Sequence, residues 1–425
     1  MTIYEIADGV RLVSVRTDKF KTSRISFTMA TPLEGNISAK AILPYLLHRR
    51  CAEYPDFTAF NGMLDELYGA VVSASVSKVG ENLLLSINMT AVDDRFALNG
   101  DKVTDECVEL LTKPVFEPIV ENGAFPEKIV EEEKRLLTEK LEAEQNDKRH
   151  YAFDRCEQIM FANEAYGKNR LGTAEEIASL TGRDVYLQWL DLLKSAKMQL
   201  TMVGSCEPDK VKDILTQKFA KIERSPAVKE TDFFAGFPKP NYVCETLPVK
   251  QGKLVMGFRA GMRNEDDNVY PMKVAVDIFG GGTYSKLFSV VREKMSLCYY
   301  CSASLFAQKG VVMVQSGIEN DNEEKAKSEI LNQLKEVAEG NFSNETFSSS
   351  IKSLCDGRLS VNDIPESLCA WYTAQMMREE LISPEEQVEK FKAVDKAQVI
   401  RAAKTIMLDT VYMLKGNAEG DDDDN

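Results

Sequence analysis

His48 and His150 are the only histidines in the sequence, and that scarcity bounds the chemistry the chain can do. Hydrolytic zinc is held by three protein ligands that leave a fourth position for water, and helix-borne sites take two imidazoles one turn apart. The motif His-x-x-Glu-His, which sets a general base between two such imidazoles, is therefore absent throughout. A Ser-His-Asp relay has no support either, since neither histidine stands in a recognisable nucleophile motif. His48 and Cys51 lie three residues apart, a spacing that shares one helical face. Cys298-Tyr-Tyr-Cys301 is a second thiol pair, but it opens a predicted strand, where an odd spacing sends the two side chains to opposite faces. Glu131-Glu132-Glu133 begins an acidic run to Glu144 with Lys and Arg interspersed, the pattern of a solvated helix face. Gly280-Gly-Gly282 before Ser285 matches neither glycine-rich phosphate motif and reads as a tight turn at a helix start. No metal and no other cofactor is expected.

The elements that carry these residues occur twice. Glu175-Glu176 is followed by Asp184, an amphipathic helix through Val185, Trp189, Leu192 and Leu193, and a strand over 199–204 that closes on glycine. Glu385-Glu386 is followed by Asp395, a helix through Val399, Ala402, Ala403 and Ile406, and a strand over 411–416 that also closes on glycine. Upstream, a helix through Phe57, Phe60, Met63, Leu64 and Leu67 runs into Tyr68-Gly69, a strand over 71–77, and a Lys78-Val-Gly80 turn. The next strand alternates, with Leu83, Leu85, Ile87 and Met89 on one face. In the second half, a helix through Leu287, Val290 and Val291 leads to Tyr299, a strand, a Lys309-Gly310 turn and the strand 311–315. The fold class is α+β, with two homologous halves that each pack helices on a mixed or antiparallel sheet.

Chain order then divides the protein into 1–222, a linker at 223–241, a second domain at 242–417 and an acidic tail at 418–425. The linker carries Pro226 and Phe237-Pro-Lys-Pro-Asn241, and proline at that density favours extended chain. The tail ends in four aspartates and reads as a solvated end. A net charge of -15 argues against a nucleic-acid groove, which needs clustered Lys and Arg. No stretch approaches the length of a membrane helix, and the first residues resemble neither a signal peptide nor an anchor. Nine scattered cysteines without framework spacing read as reduced, mostly buried thiols, which points to the cytoplasm.

Two halves of this kind, together with Gly280-Gly-Gly-Thr-Tyr-Ser-Lys-Leu-Phe288 and Val291-Arg-Glu-Lys-Met-Ser-Leu-Cys-Tyr299, resemble the M16 (insulinase-like) zinc peptidases over nearly the whole chain. Phe20-Lys-Thr22, Leu43-Pro-Tyr-Leu-Leu47, Tyr54-Pro55, Leu64-Asp-Glu-Leu-Tyr-Gly-Ala70, Glu133-Lys-Arg-Leu136 and Asn146-Asp-Lys148 before Tyr151-Ala152 are similar to a narrower branch, the YmfF-like proteins. The resemblance implies a clamshell of two halves. It also implies a metal helix at Pro44-Tyr-Leu-Leu47-His48, aligned by the downstream Leu-Tyr-Gly-Ala run. There the first imidazole has become Pro44, the general base has become Leu47, and His48 alone remains. The glutamates at 131–133 fall where the family supplies its distant carboxylate ligand. Arg292 and Tyr299 match an Arg/Tyr pair that reaches the substrate carbonyl in active relatives, a role suited to a guanidinium and a phenol. The competing reading has Arg292 capping its helix and pairing with Glu293 or Asp277 while Tyr299 packs in the sheet.

The implied protein is a catalytically inactive M16 homologue. It would hold peptide or protein substrate for a zinc-containing paralogue with an intact His-x-x-Glu-His, in a process associated with elongation factor P modification. The alternatives are a self-standing peptide clamp, as monomer or homodimer, that adds an extended peptide to a sheet edge, and an active zinc peptidase, which the missing ligands disfavour. Neither nucleic acid nor membrane is an expected partner.

Overall fold

The computed structural model of the protein describes residues 1–231, 233, 239–264, 266 and 268–416. Local capping signals appear twice in the same order. Thr173 and Glu176 form a reciprocal capping box at the helix Ala174–Ser179, and Thr181 and Asp184 do so at Gly182–Ser195. Ser383 with Glu386 and Asp395 with Gln398 repeat the device at Pro384–Lys392 and Lys396–Ala403. Each box satisfies backbone N–H groups that a helix start otherwise leaves unpaired, which explains why all four helices begin where they do.

The strands β1 (Thr2–Ala7), β2 (Val10–Arg16), β3 (Thr22–Pro32), β4 (Val71–Val79), β5 (Asn82–Val92) and β6 (Lys197–Gly204) form one sheet in the order β1-β2-β6-β3-β5-β4. The strands β7 (Asn241–Leu247), β8 (Gly252–Arg259), β9 (Cys298–Phe306), β10 (Val311–Ile318) and β11 (Met407–Gly416) form a second in the order β7-β11-β8-β10-β9. Apart from β1, the two sheets match strand for strand. β2 runs parallel to β6 as β7 does to β11, and every other pairing is antiparallel. The two basic-glycine turns also correspond, with Gly80 at φ 52° and Gly310 at φ 65°, a left-handed backbone that a β-carbon disfavours. The repeat expected from the sequence is present, and the fold is α+β with two homologous halves.

Each sheet has two apolar faces, and both need cover. On the first, Leu83, Leu85, Ile87 and Met89 of β5 are fully buried with Ile25, Phe27 and helices including Ile37–Leu47. The opposite face, through Val13, Val15 and Val203, is covered by Leu368, Cys369 and Tyr372. Arg11 donates from Nη1 to the Arg378 carbonyl (3.0 Å) and Gln199 from Nε2 to that of Tyr372 (3.1 Å). On the second sheet, Val255, Val311, Met313 and Tyr412 pack against Ala152, Cys156 and Met160 of the helix Lys148–Met160. Arg155, Tyr151 and Tyr412 all donate to the Glu245 carboxylate, at 2.6, 3.0 and 2.9 Å.

Chain order places 143–167 in the first half and 361–382 in the second, but packing assigns each to the other unit. One compact unit is Met1–Glu142 with Lys168–Glu230 and Val361–Ile382. The other is Ala143–Gly167 with Thr231–Ser360 and the chain from Ser383 onward. The cause is burial: fully covering one Leu-sized side chain is worth about 1.5–3 kcal/mol, so an uncovered sheet face is costly. The stretch read as linker is docked over its first part. Ser225 N–H donates to Lys194 O (2.9 Å), Ala227 N–H to Ser195 O (2.7 Å), and Lys229 N–H to Asn82 Oδ1 (2.8 Å). Residues 232 and 234–238 of the linker, and the acidic tail, lie outside the described residues. Among the described residues, no helix is long and apolar enough to cross a membrane.

Candidate functional site

The helix Ile37–Leu47 starts at Asn36, whose side chain accepts from Ala39 N–H (2.9 Å), and packs on β4 and β5. It is apolar nearly all round, with Leu43, Pro44, Leu46 and Leu47 buried. Pro44 sits inside the helix and has no donor atom to offer a ligand. His48 is the C-terminal cap and half-buried. Its Nδ1 lies 2.7 Å from the Tyr45 carbonyl, and because a carbonyl only accepts, Nδ1 carries the hydrogen and Nε2 the lone pair. Burial first, and the charge of Arg49 next, hold its pKa down at about 4. The helix ends at Leu47, so Cys51 falls beyond it and does not share a helical face with His48. Cys51 N–H instead donates to Tyr54 O (2.9 Å).

Glu133 corrects the reading of the acidic run. Glu131 and Glu132 are exposed, but Glu133 is 1% exposed and lies on the inward stripe Val130, Glu133, Leu137, Leu141 of the helix Glu127–Asn146. That three-four-four spacing was visible in the sequence and would have marked Glu133 as inward-facing. Its Oε1 is 3.3 Å from Arg50 Nη2 and 3.5 Å from Arg49 Nε, while Arg50 Nη1 donates to Glu132 at 3.1 Å. Burial pushes the Glu133 pKa up, and the two guanidinium groups oppose it. Glu131 behaves as expected of a solvated face, pairing with Lys134 at 2.6 Å.

These residues do not fit a catalytic zinc. A closed or open zinc shell needs at least three donors in tetrahedral directions. Here Pro44 and Leu47 supply none, His48 supplies one lone pair, and Glu133 keeps one oxygen, Oε2, buried without a hydrogen-bond donor among the described residues. Two guanidinium groups stand against the same carboxylate. Among the described residues no three His, Cys, Asp or Glu side chains converge on a metal position.

In the other unit, Arg292 lies on a short π-helical segment, Leu287–Lys294, and Tyr299 is the second residue of β9. The Arg292 guanidinium lies 4.6 Å from the Phe288 ring centroid and 3.6 Å from Glu293, while Asp277 accepts instead from Tyr284 OH (2.6 Å). Tyr299 is 66% exposed and donates to Glu319 at 3.4 Å, so it does not pack in the sheet.

The thiols of β9 depart from the expected alternation. Tyr300 faces Gly317 and Cys298 faces Ile318, so Tyr299 is an extra residue opposite the partner strand. This bulge shifts the alternation by one, and Cys298 and Cys301 face the same core. A hydrogen bond from Cys301, aided by Ser316 and Arg292 and opposed by burial, brings the Cys298 pKa to about 7. Burial pushes Cys107, Cys206 and Cys369 up to about 12. Iodoacetamide near neutral pH is therefore expected to alkylate Cys298 well before those three, with a half-maximal rate near pH 7 that Arg292→Gln moves upward. Mass mapping of alkylated peptides reads this; labelling of Cys298 no faster than Cys369 would contradict it.

Residues 179–354 match the family model described as the Peptidase M16 inactive domain. Over 409 residues, 96% of each chain, the sequence is 30% identical to a Bacillus subtilis protein named probable inactive metalloprotease YmfF. The crystal structure of a conserved protein from Enterococcus faecalis V583 superposes with a TM-score of 0.89 at 25% identity, covering 99% of both chains. The crystal structure of a peptidase M16 inactive domain from Pseudomonas fluorescens gives a TM-score of 0.79 at 16% identity over 99% of both, a likeness that shows the fold alone.

Proposed function

The chain belongs to the M16 peptidase family, as an inactive homologue of the YmfF-like branch, and from that premise we propose that it is a non-catalytic subunit that holds peptide substrate for a zinc-bearing paralogue. One observation carries the reading: the metal set is gone while the strand beside it is the last of its sheet, with its Val76 carbonyl accepting from Arg170 Nε (3.2 Å). β4 ends its sheet, packs beside the helix Ile37–Leu47, and presents small residues, Ser73, Ala74, Ser75 and Ser77. An edge strand offers backbone N–H and C=O groups to an added strand, and an extended peptide bound that way needs no catalytic metal. On the other unit, Arg292 and the exposed Tyr299 offer donors to peptide carbonyls. The substrate process we assign is elongation factor P modification, the association implied by the branch, and the location is the cytoplasm, where the chain's free thiols stay reduced.

Affinity purification from the native host, with mass spectrometry and metal analysis of the same sample, tests this. The expected result is a stable one-to-one complex with a paralogue that carries His-x-x-Glu-His, with zinc in proportion to the paralogue. A monomer or homodimer that captures peptide by itself would replace this reading with that of a self-standing clamp. Zinc bound to this chain alone, with hydrolysis that a chelator stops, would overturn both.

A further inference from the structure

A carboxylate as deeply buried as Glu133 needs a counter-charge, because an isolated buried ion costs several kcal/mol. The counter-charge comes from two consecutive residues. Arg49 and Arg50 follow directly on His48, and their side chains are 26% and 11% exposed. Arg50 spans Glu132 and Glu133, at 3.1 and 3.3 Å, so one guanidinium bridges the exposed and the buried carboxylate. Neither arginine is held there by helix geometry, since the helix has already ended at Leu47. Both guanidinium groups reach the same oxygen of Glu133, Oε1.

We propose that Arg49 and Arg50 are the resident counter-cation of Glu133, taking electrostatically the place a divalent metal takes in peptidases of this architecture, so that the site is closed to metal by charge as well as by missing ligands. This deepens the family reading and rests on it for the position of the metal. It does not depend on any partner, so its failure and that of the substrate-holding reading show up in different measurements. Two positive groups beside Glu133 repel a Zn²⁺ ion, and both stand against one of its two oxygens, Oε1. Restoring the missing donors is then insufficient, and the arginines must also go.

The first experiment loads zinc onto purified full-length variants, removes excess metal, and measures what remains. Pro44→His with Leu47→Glu is expected to retain under about one tenth of an equivalent, and the same variant with Arg49→Gln and Arg50→Gln close to about one equivalent. Retention of a full equivalent by the first variant would overturn the proposal. Because Leu47→Glu places a carboxylate in a buried position, a second measurement uses native ligand positions only. Arg49→Gln with Arg50→Gln is expected to lower Tm by roughly 5–10 °C, and adding Glu133→Gln to restore at least about half of that loss. No recovery on adding Glu133→Gln would mean that the arginines act through packing alone, and the proposal would fall.

Discussion

Lys309→Met is expected to lower the unfolding free energy by about 3–5 kcal/mol, because it strips one cation from a buried four-charge cluster. Lys309 Nζ lies 2.6 Å from Glu164 Oε2, and Arg259 reaches Glu164 Oε1 at 3.0 Å and Asp409 Oδ2 at 2.9 Å. All four side chains are 10% exposed or less. The aromatic rings of Phe161 and Tyr166 sit over the cations, Phe161 4.7 Å from the Arg259 guanidinium and Tyr166 5.5 Å from Lys309. With Lys309 gone, Arg259 faces both carboxylates in a site where desolvation is nearly complete. Methionine keeps most of the volume, so the loss reads charge and not a cavity. Glu164→Gln added to Lys309→Met is expected to recover much of the stability, since it removes the orphaned charge. Urea unfolding of the parent and the two variants reads both effects; a Lys309→Met curve within about 1 kcal/mol of the parent would rule out the cluster as a stabilising unit.

The second large effect is a loss of stability in acid that runs through His48. Folding holds its pKa at about 4, below the ordinary imidazole value, so folded His48 stays neutral while unfolded His48 takes a proton. The contribution is therefore fully present above about pH 6.5 and lost progressively as pH falls to about 4. Between about pH 7.5 and about pH 4.5 the expected loss from this group is about 2–3 kcal/mol. His48→Gln removes the titration and keeps a donor for the Tyr45 carbonyl, so its stability should fall less over the same interval. Parallel urea titrations at the two pH values would show it; an undiminished difference in His48→Gln would mean that the imidazole stays solvated.

Much of the fold was legible because its signals are local. The residues Glu176, Asp184, Glu386 and Asp395, each part of a capping box, and the two basic-glycine turns act within a few residues, and they recur in the same order. Leu83, Leu85, Ile87 and Met89 alternate without interruption, and all four are buried as that alternation demands. The Cys298–Cys301 pair misled for the opposite reason. A single bulge at Tyr299 reverses the face assignment, and a bulge is decided by the partner strand. The docking of 361–382 on the first sheet was likewise invisible, because Leu368 and Tyr372 carry the same pattern whichever apolar face they cover.

What the sequence by itself determined is that the His-x-x-Glu-His set is absent: two histidines, with proline and leucine at 44 and 47, settle that by simple counting of donors, and no folding restores an absent atom. Only the tertiary structure decided what stands there instead. Glu133 is far along the chain from Arg49 and Arg50, and it is buried with Val130, Leu137 and Leu141 on the inward stripe of its helix. Charge in a run of acids looks uniform in sequence; desolvation singles out one of them, and that is a property of the assembled fold.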